Sequence, residues 1–113
     1  MTFATSTHGQ EPAAKWADYC ISAVRFNSTH THIDYVRAAV DNGSTLGVWQ
    51  DYTRTTVIAA LKKGTTFVTV FRGSDGNFRK GQAVYVIVVR GVEYIKTRDN
   101  GRAEDNLDDL PEF

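Results

Sequence analysis

Cysteine is nearly missing: Cys20 is the single thiol in 113 residues. That excludes an intrachain disulfide framework and any cysteine-based metal cluster, and it suits a reducing compartment. Net charge is missing too. Thirteen Lys and Arg offset thirteen Asp and Glu, so the chain has no broad basic field of the kind that draws in duplex DNA. No run approaches the roughly 20 apolar residues needed to cross a bilayer. No basic segment followed by an apolar one marks a secretory leader. A cytoplasmic protein without a membrane or duplex-DNA partner is expected. Repeats and low-complexity tracts are also absent, and the length fits one domain with a modest core.

What is present reads as alternating short strands around one helix. Residues 1–15 are small, polar and aperiodic, which describes a flexible arm; residues 16–113 form the expected domain, including a docked C-terminal tail. "YCISAVRFN" predicts a strand over 19–27, with Cys20, Ser22, Val24 and Phe26 on one face and Ile21, Ala23 and Arg25 on the other. "HIDYVRAAV" predicts a second strand over 32–40. In "DYTRTTVIAALKKG", Asp51 or Thr53 can cap a helix whose apolar positions Val57, Ile58 and Leu61 recur at helical spacing and which Gly64 ends. "TFVTVFR" predicts a strand at 66–72, and "GSDGNFRKGQ" a loop. The nearly all-apolar "AVYVIVV" at 83–89 predicts a central strand, and "VEYIKT" at 92–97 its hairpin partner. The fold class is α+β: a small twisted, mostly antiparallel sheet of order β-β-α-β-β-β with one helix packed on one face.

Chemistry-bearing groups are few. His30 and His32 alternate and so can share a strand face, but no third or fourth metal ligand stands at a familiar spacing; solvated strand-end histidines are the plainer reading. Cys20 has no histidine partner, no serine sits in a nucleophile-elbow setting, and Asp108 and Asp109 are adjacent on a loop. A catalytic acid–base set is therefore not in view. The glycine loop matches neither nucleotide fingerprint, yet its Phe78, Arg79 and Lys80 put an aromatic face beside two cations. Arginines recur on strands or at their ends: Arg25, Arg37, Arg72, Arg90 and Arg98. Half or more should simply pair with carboxylates; the rest can grip phosphate. Phe67 and Phe71 share a core face, while Tyr35 or Phe78 can stack on a base.

"ISAVRFN", "HIDYV", the helix ending in "KKG", "EYIKTRDN" and "EDNLDDLPEF" together resemble a family of small bacterial and phage domains of unknown function, with an I-x-x-V-R strand and an N-L-x-x-L-P-x-F tail. The likeness covers residues 19–113 and extends to the phage Thoeris anti-defence sponges. It implies a non-catalytic protein that sequesters cyclic nucleotide or cyclic ADP-ribose-type immune signals, without a cofactor, as a homo-oligomer (dimer or hexamer) with pockets at subunit contacts. An anti-Thoeris role follows, with an anti-CBASS role as its variant. The Arg-Asp pair after the last strand, Arg98 and Asp99, is the ligand-contacting feature the resemblance implies; Arg25, Phe71, Phe78 and Arg79 complete the expected set. Lys96 and Thr97 depart from that family's pattern, and the 70–81 segment looks elongated. The alternative from a different class is a single-stranded nucleic-acid or protein-interaction module, supported by arginines and aromatics on a sheet; a third, a metal-dependent enzyme, hangs on His30 and His32 alone.

Overall fold

The computed structural model describes residues 15–43, 45–98, 100–107 and 110–113. Among them the elements run β1 (Tyr19–Phe26), β2 (Ile33–Val40), β3 (Gln50–Thr53), α1 (Arg54–Lys62), β4 (Phe67–Arg72), β5 (Phe78–Ala83), β6 (Tyr85–Val89) and β7 (Val92–Lys96). The fold is α+β, with a five-stranded sheet ordered β3-β2-β1-β4-β5 and a separate β6-β7 ribbon. Most pairings are antiparallel, but β1 and β4 run parallel. The first sheet is therefore mixed. The expected 1–15 arm lies outside the described residues except for Lys15.

Two elements emerge that composition hid. β3 forms because Gln50–Thr53 pairs with Ala38–Tyr35 of β2. Asp51 then lies in a strand, and Thr53 caps the helix, its hydroxyl accepting from the Thr56 N–H at 3.2 Å. β5 forms inside the expected glycine loop, which is a correction to that reading. Pairing with β4 overrides the turn-like composition, and Gly81 is the reason the strands can close. A Cβ there would lie 2.3 Å from Thr69 Oγ1 and 2.8 Å from Phe71 Cε2.

The expected central strand is also corrected. β6 lies in the two-stranded ribbon. Its apolar run serves two environments: Val86 packs on the core, while Tyr85 and Val88 are exposed. An apolar run signals burial on both faces only when a sheet continues on both sides. The β6-β7 turn carries Arg90 at φ 52° and Gly91 at φ 81°, the paired left-handed geometry of a two-residue hairpin.

A bulge overturns the simple alternation expected along β1. The register with β2 shifts between Ile21 and Ala23 and again between Arg25 and Phe26, since an extra residue in one strand reverses which face follows. Ile21 and Val24 consequently join one core, with Ile33, Val36, Val57, Phe67, Ile95, Leu107 and Leu110. Cys20 goes to a second, smaller core on the opposite face with Val68, Val70 and Phe78, flanked by Trp16, Leu46 and Trp49.

The tail docks on its own chain. Leu107 and Leu110 are buried. The Val24 N–H donates to the Pro111 carbonyl and the Phe113 N–H to the Val24 carbonyl, each at 2.9 Å, so residues 111–113 lie alongside β1 like a short parallel strand. Among the described residues, no helix is long and apolar enough to cross a membrane.

Candidate functional site

The site follows from a break in the sheet. β1 and β4 pair only from Tyr19↔Phe67 to Ile21↔Thr69. Beyond that point the two strands separate, and the tail takes the edge of β1 that β4 has vacated. A groove of about 500 Å³ opens there, with Ser22 and Ala23 on one bank, Val70–Arg72 on the other, and Arg37, Trp49, Phe78 and Pro111 around them. This volume is within the range of small-ligand sites, which runs from roughly 300 to 1,000 Å³.

Two arginines and two aromatic rings define its chemistry. Arg72 lies over the Phe78 ring at 4.5 Å, and its Nη1 donates to the Gly76 carbonyl at 2.9 Å. Arg37 lies over the Phe113 ring at 4.0 Å. Its Nε donates to Asp51 Oδ1 at 2.9 Å and its Nη2 to Oδ2 at 3.3 Å. Each guanidinium is placed by its ring and by these hydrogen bonds, and the N–H groups that remain can serve a further partner. The Arg37 hydrogen bond, and then the charges of Arg37 and Arg25, hold the Asp51 carboxyl below its ordinary value, while Asp51 raises Arg37 in turn. Trp49 and Phe78 meet at 5.3 Å with their planes tilted by 49°, giving the groove an apolar side.

The expected site residues divide. Phe71 and Phe78 both line this groove. Phe78 is 6% exposed, so its expected place in a loop is corrected: pairing with β4 turns it inward, under Arg72. Arg25 flanks the tail; its Nε donates to the Phe113 carbonyl at 2.9 Å, and its guanidinium lies 5.1 Å from the Phe113 ring centre. Arg79 is exposed and pairs with Asp75 at 3.1 Å, leaving the groove lining to its neighbours. Arg98 is exposed beyond β7 and is not among the residues that line this groove. Asp99 lies outside the described residues.

Three groups lay outside the expected set. Arg37 reaches the groove because β2 pairs beside β1, setting it opposite Ala23, and Trp49 because the segment before β3 brings it against Phe78. Lys96 is fully buried. Its ammonium donates to Asn100 Oδ1 and to the Arg102 carbonyl, both at 2.6 Å, and so it braces the loop that carries Arg98. The one available signal was its place at the end of an alternating strand.

The histidines do not act together. His30 stacks on Phe26 at 3.9 Å and pairs with Glu112 at 3.1 Å. His32 stacks on Tyr94 at 5.6 Å. No group of three or more His, Cys, Asp and Glu among the described residues could hold a metal. Cys20 lies 3.7 Å from Asp41 Oδ2; burial, then that carboxylate, pushes its thiol up to about 12. A thiol so shifted stays protonated and unreactive at neutral pH.

A small mixed-sheet α+β domain with an arginine-lined split in its sheet is the class that fold and groove define. Within that class the chain belongs to the DUF3892 family, described as proteins of unknown function, whose model matches residues 20–111. No curated protein and no solved structure matches the chain.

Proposed function

We propose that the protein is a non-catalytic binder that sequesters a cyclic nucleotide or cyclic ADP-ribose-type signal, and that it thereby blunts an anti-phage defence of the Thoeris or CBASS kind. The groove between β1 and β4 carries this reading. It sets two arginines, each stacked on an aromatic ring, beside Trp49 and Phe78. Phosphates need bidentate, pre-positioned guanidinium donors, and a base needs a flat apolar wall. The resemblance of the I-x-x-V-R strand and the L-P-x-F tail to the Thoeris sponges supports the ligand class. Capture without turnover needs slow release rather than an acid–base pair.

Assembly belongs to the same proposal. Tyr85, Val88 and Val92 leave apolar surface exposed on the ribbon, and a second copy is the partner expected there, which sedimentation would show. Calorimetry with cyclic ADP-ribose isomers and with cyclic di- and trinucleotides tests the ligand. At least one is expected to bind more tightly than about 10 μM, or roughly 7 kcal/mol, and to be recovered intact after denaturation. Binding weaker than that for every member, or recovery of a cleaved product, rejects the reading.

A further inference from the structure

The bank of the groove formed by β4 carries main-chain groups that face the split beyond the end of its pairing with β1. Two hydrogen bonds fix which way each residue of β4 turns. The Tyr19 N–H donates to the Thr66 carbonyl at 3.1 Å, and the parallel register runs on to Ile21↔Thr69. The even residues of β4 therefore aim their backbone groups at β1. At the far end the Gly73 N–H donates to the Asn77 carbonyl at 2.7 Å. With Phe71↔Arg79 and Arg72↔Phe78 in register, the odd residues serve β5 and the even ones again point away from it. The pairing with β1 ends at Thr69, and the tail attaches to β1 instead. The Val70 carbonyl and the Arg72 N–H are thus turned into the split, beyond the last residues that pair with β1.

A carbonyl on a residue as buried as Val70, 1% exposed, is seldom left unmatched, while Arg72 beside it is exposed at the opening. A carbonyl at one residue and an N–H two residues on is the pair that a single residue of a parallel neighbour strand would satisfy. A nucleobase with a donor beside an acceptor on one edge presents the same pattern. The flanking surfaces choose between these occupants. The split is bordered by Arg37 and Arg72 and walled by Trp49 and Phe78, which suits a flat base bearing a phosphate better than an uncharged strand.

We infer that the splayed edge of β4 reads a nucleobase edge-on: for adenine, the exocyclic amine donates to the Val70 carbonyl and the adjacent ring nitrogen accepts from the Arg72 N–H. The inference rests on the nucleotide reading above and narrows it. Phosphate alone does not suffice, and an adenine whose amine-bearing edge is lost to ring closure binds poorly.

Amide hydrogen exchange tests the premise on the free protein. The Arg72 amide is expected to exchange much faster than those of Phe71 and Val70, and slow exchange at Arg72 overturns the inference whether or not any nucleotide binds. Calorimetry and amide shifts with 5′-AMP, purine riboside 5′-monophosphate (no exocyclic amine) and ribose 5-phosphate (no base) test the rest. AMP is expected to shift and protect the Arg72 amide and to bind about tenfold or more tightly than the amine-free analogue, because that analogue leaves the Val70 carbonyl unpaired. Equal binding of the two purines, with the Arg72 amide unmoved, overturns edge reading while nucleotide capture stands. Failure of all three, together with the cyclic nucleotides, removes both. A blocked Thr-Val-Thr-Val peptide that protects the Arg72 amide when AMP does not would make the split a strand-docking site and overturn the inference.

Discussion

The molecule holds two arginine–aspartate pairs in opposite circumstances. Arg54 and Asp105 meet at 2.7 Å, with the aspartate fully buried. Asp105 also accepts from the Ile33 N–H at 2.7 Å and the Ile95 N–H at 2.9 Å, while Arg54 Nη2 reaches the Glu93 carbonyl. Helix, β2, ribbon and tail are pinned at one point, and every lone pair in view is in use. Arg37 and Asp51 meet at 2.9 Å, each about two-fifths exposed, on the rim of the groove. Identical chemistry thus serves architecture in one place and remains available in the other. Burial makes the difference: an enclosed pair must be fully satisfied to be tolerated, whereas a wet pair contributes little to stability and can be shared.

The largest break in that contrast is Asp105→Ala. It leaves the Arg54 cation and two buried N–H groups without their acceptor, and urea unfolding should show a loss of about 3–5 kcal/mol. A loss under about 1 kcal/mol would mean the buried pair is no more structural than the exposed one. Phe113→Ala comes next. It removes the ring on which Arg37 and Arg25 rest, but spares the main-chain bonds of the tail to Val24. A loss of about 1 kcal/mol is expected, with faster exchange of the Val24 amide. An unchanged stability and unchanged exchange would detach the tail from the groove.

The smallest effect concerns the exposed pair and is read by pH. Asp51 is held below the ordinary carboxylate value by Arg37 and Arg25. A depressed carboxylate stabilises the fold above its unfolded value, and that contribution disappears as pH falls through the folded one. The contribution of the Arg37–Asp51 pair should therefore persist through neutral and mildly acid pH and fade only in strong acid, below the ordinary value of 3.8. A carboxyl-resolved titration checks this: in Arg37→Ala the Asp51 midpoint should rise, and a midpoint that stays put would show that the pair does not form in solution.

The strands of lowest ambiguity were legible because their pattern is local. β1, β2 and β4 fall close to where β-branched and aromatic residues alternate, and the helix falls where Val57, Ile58 and Leu61 recur ahead of Gly64. β5 was not legible, since "FRKGQA" has the composition of a loop and becomes a strand only against β4. The groove was half legible. Phe71 and Phe78 were in view, whereas Arg37 and Trp49 come from segments that only packing brings alongside. The bulge after Ile21 hid the faces of β1, because inserting one residue reverses every later side chain and leaves no mark in composition.

By itself the sequence determined an α+β class, a single thiol without chemistry, a neutral charge balance and a tail with Leu107, Leu110 and Phe113 to bury, because each depends on residue type and short spacing. The tertiary structure alone decided where β1 parts from β4, which arginines are consumed and which stand at the opening, and that the tail fills one vacated edge while the other stays open. Strand pairing is a long-range competition for backbone hydrogen bonds, and its outcome depends on which segments meet rather than on what any one of them contains.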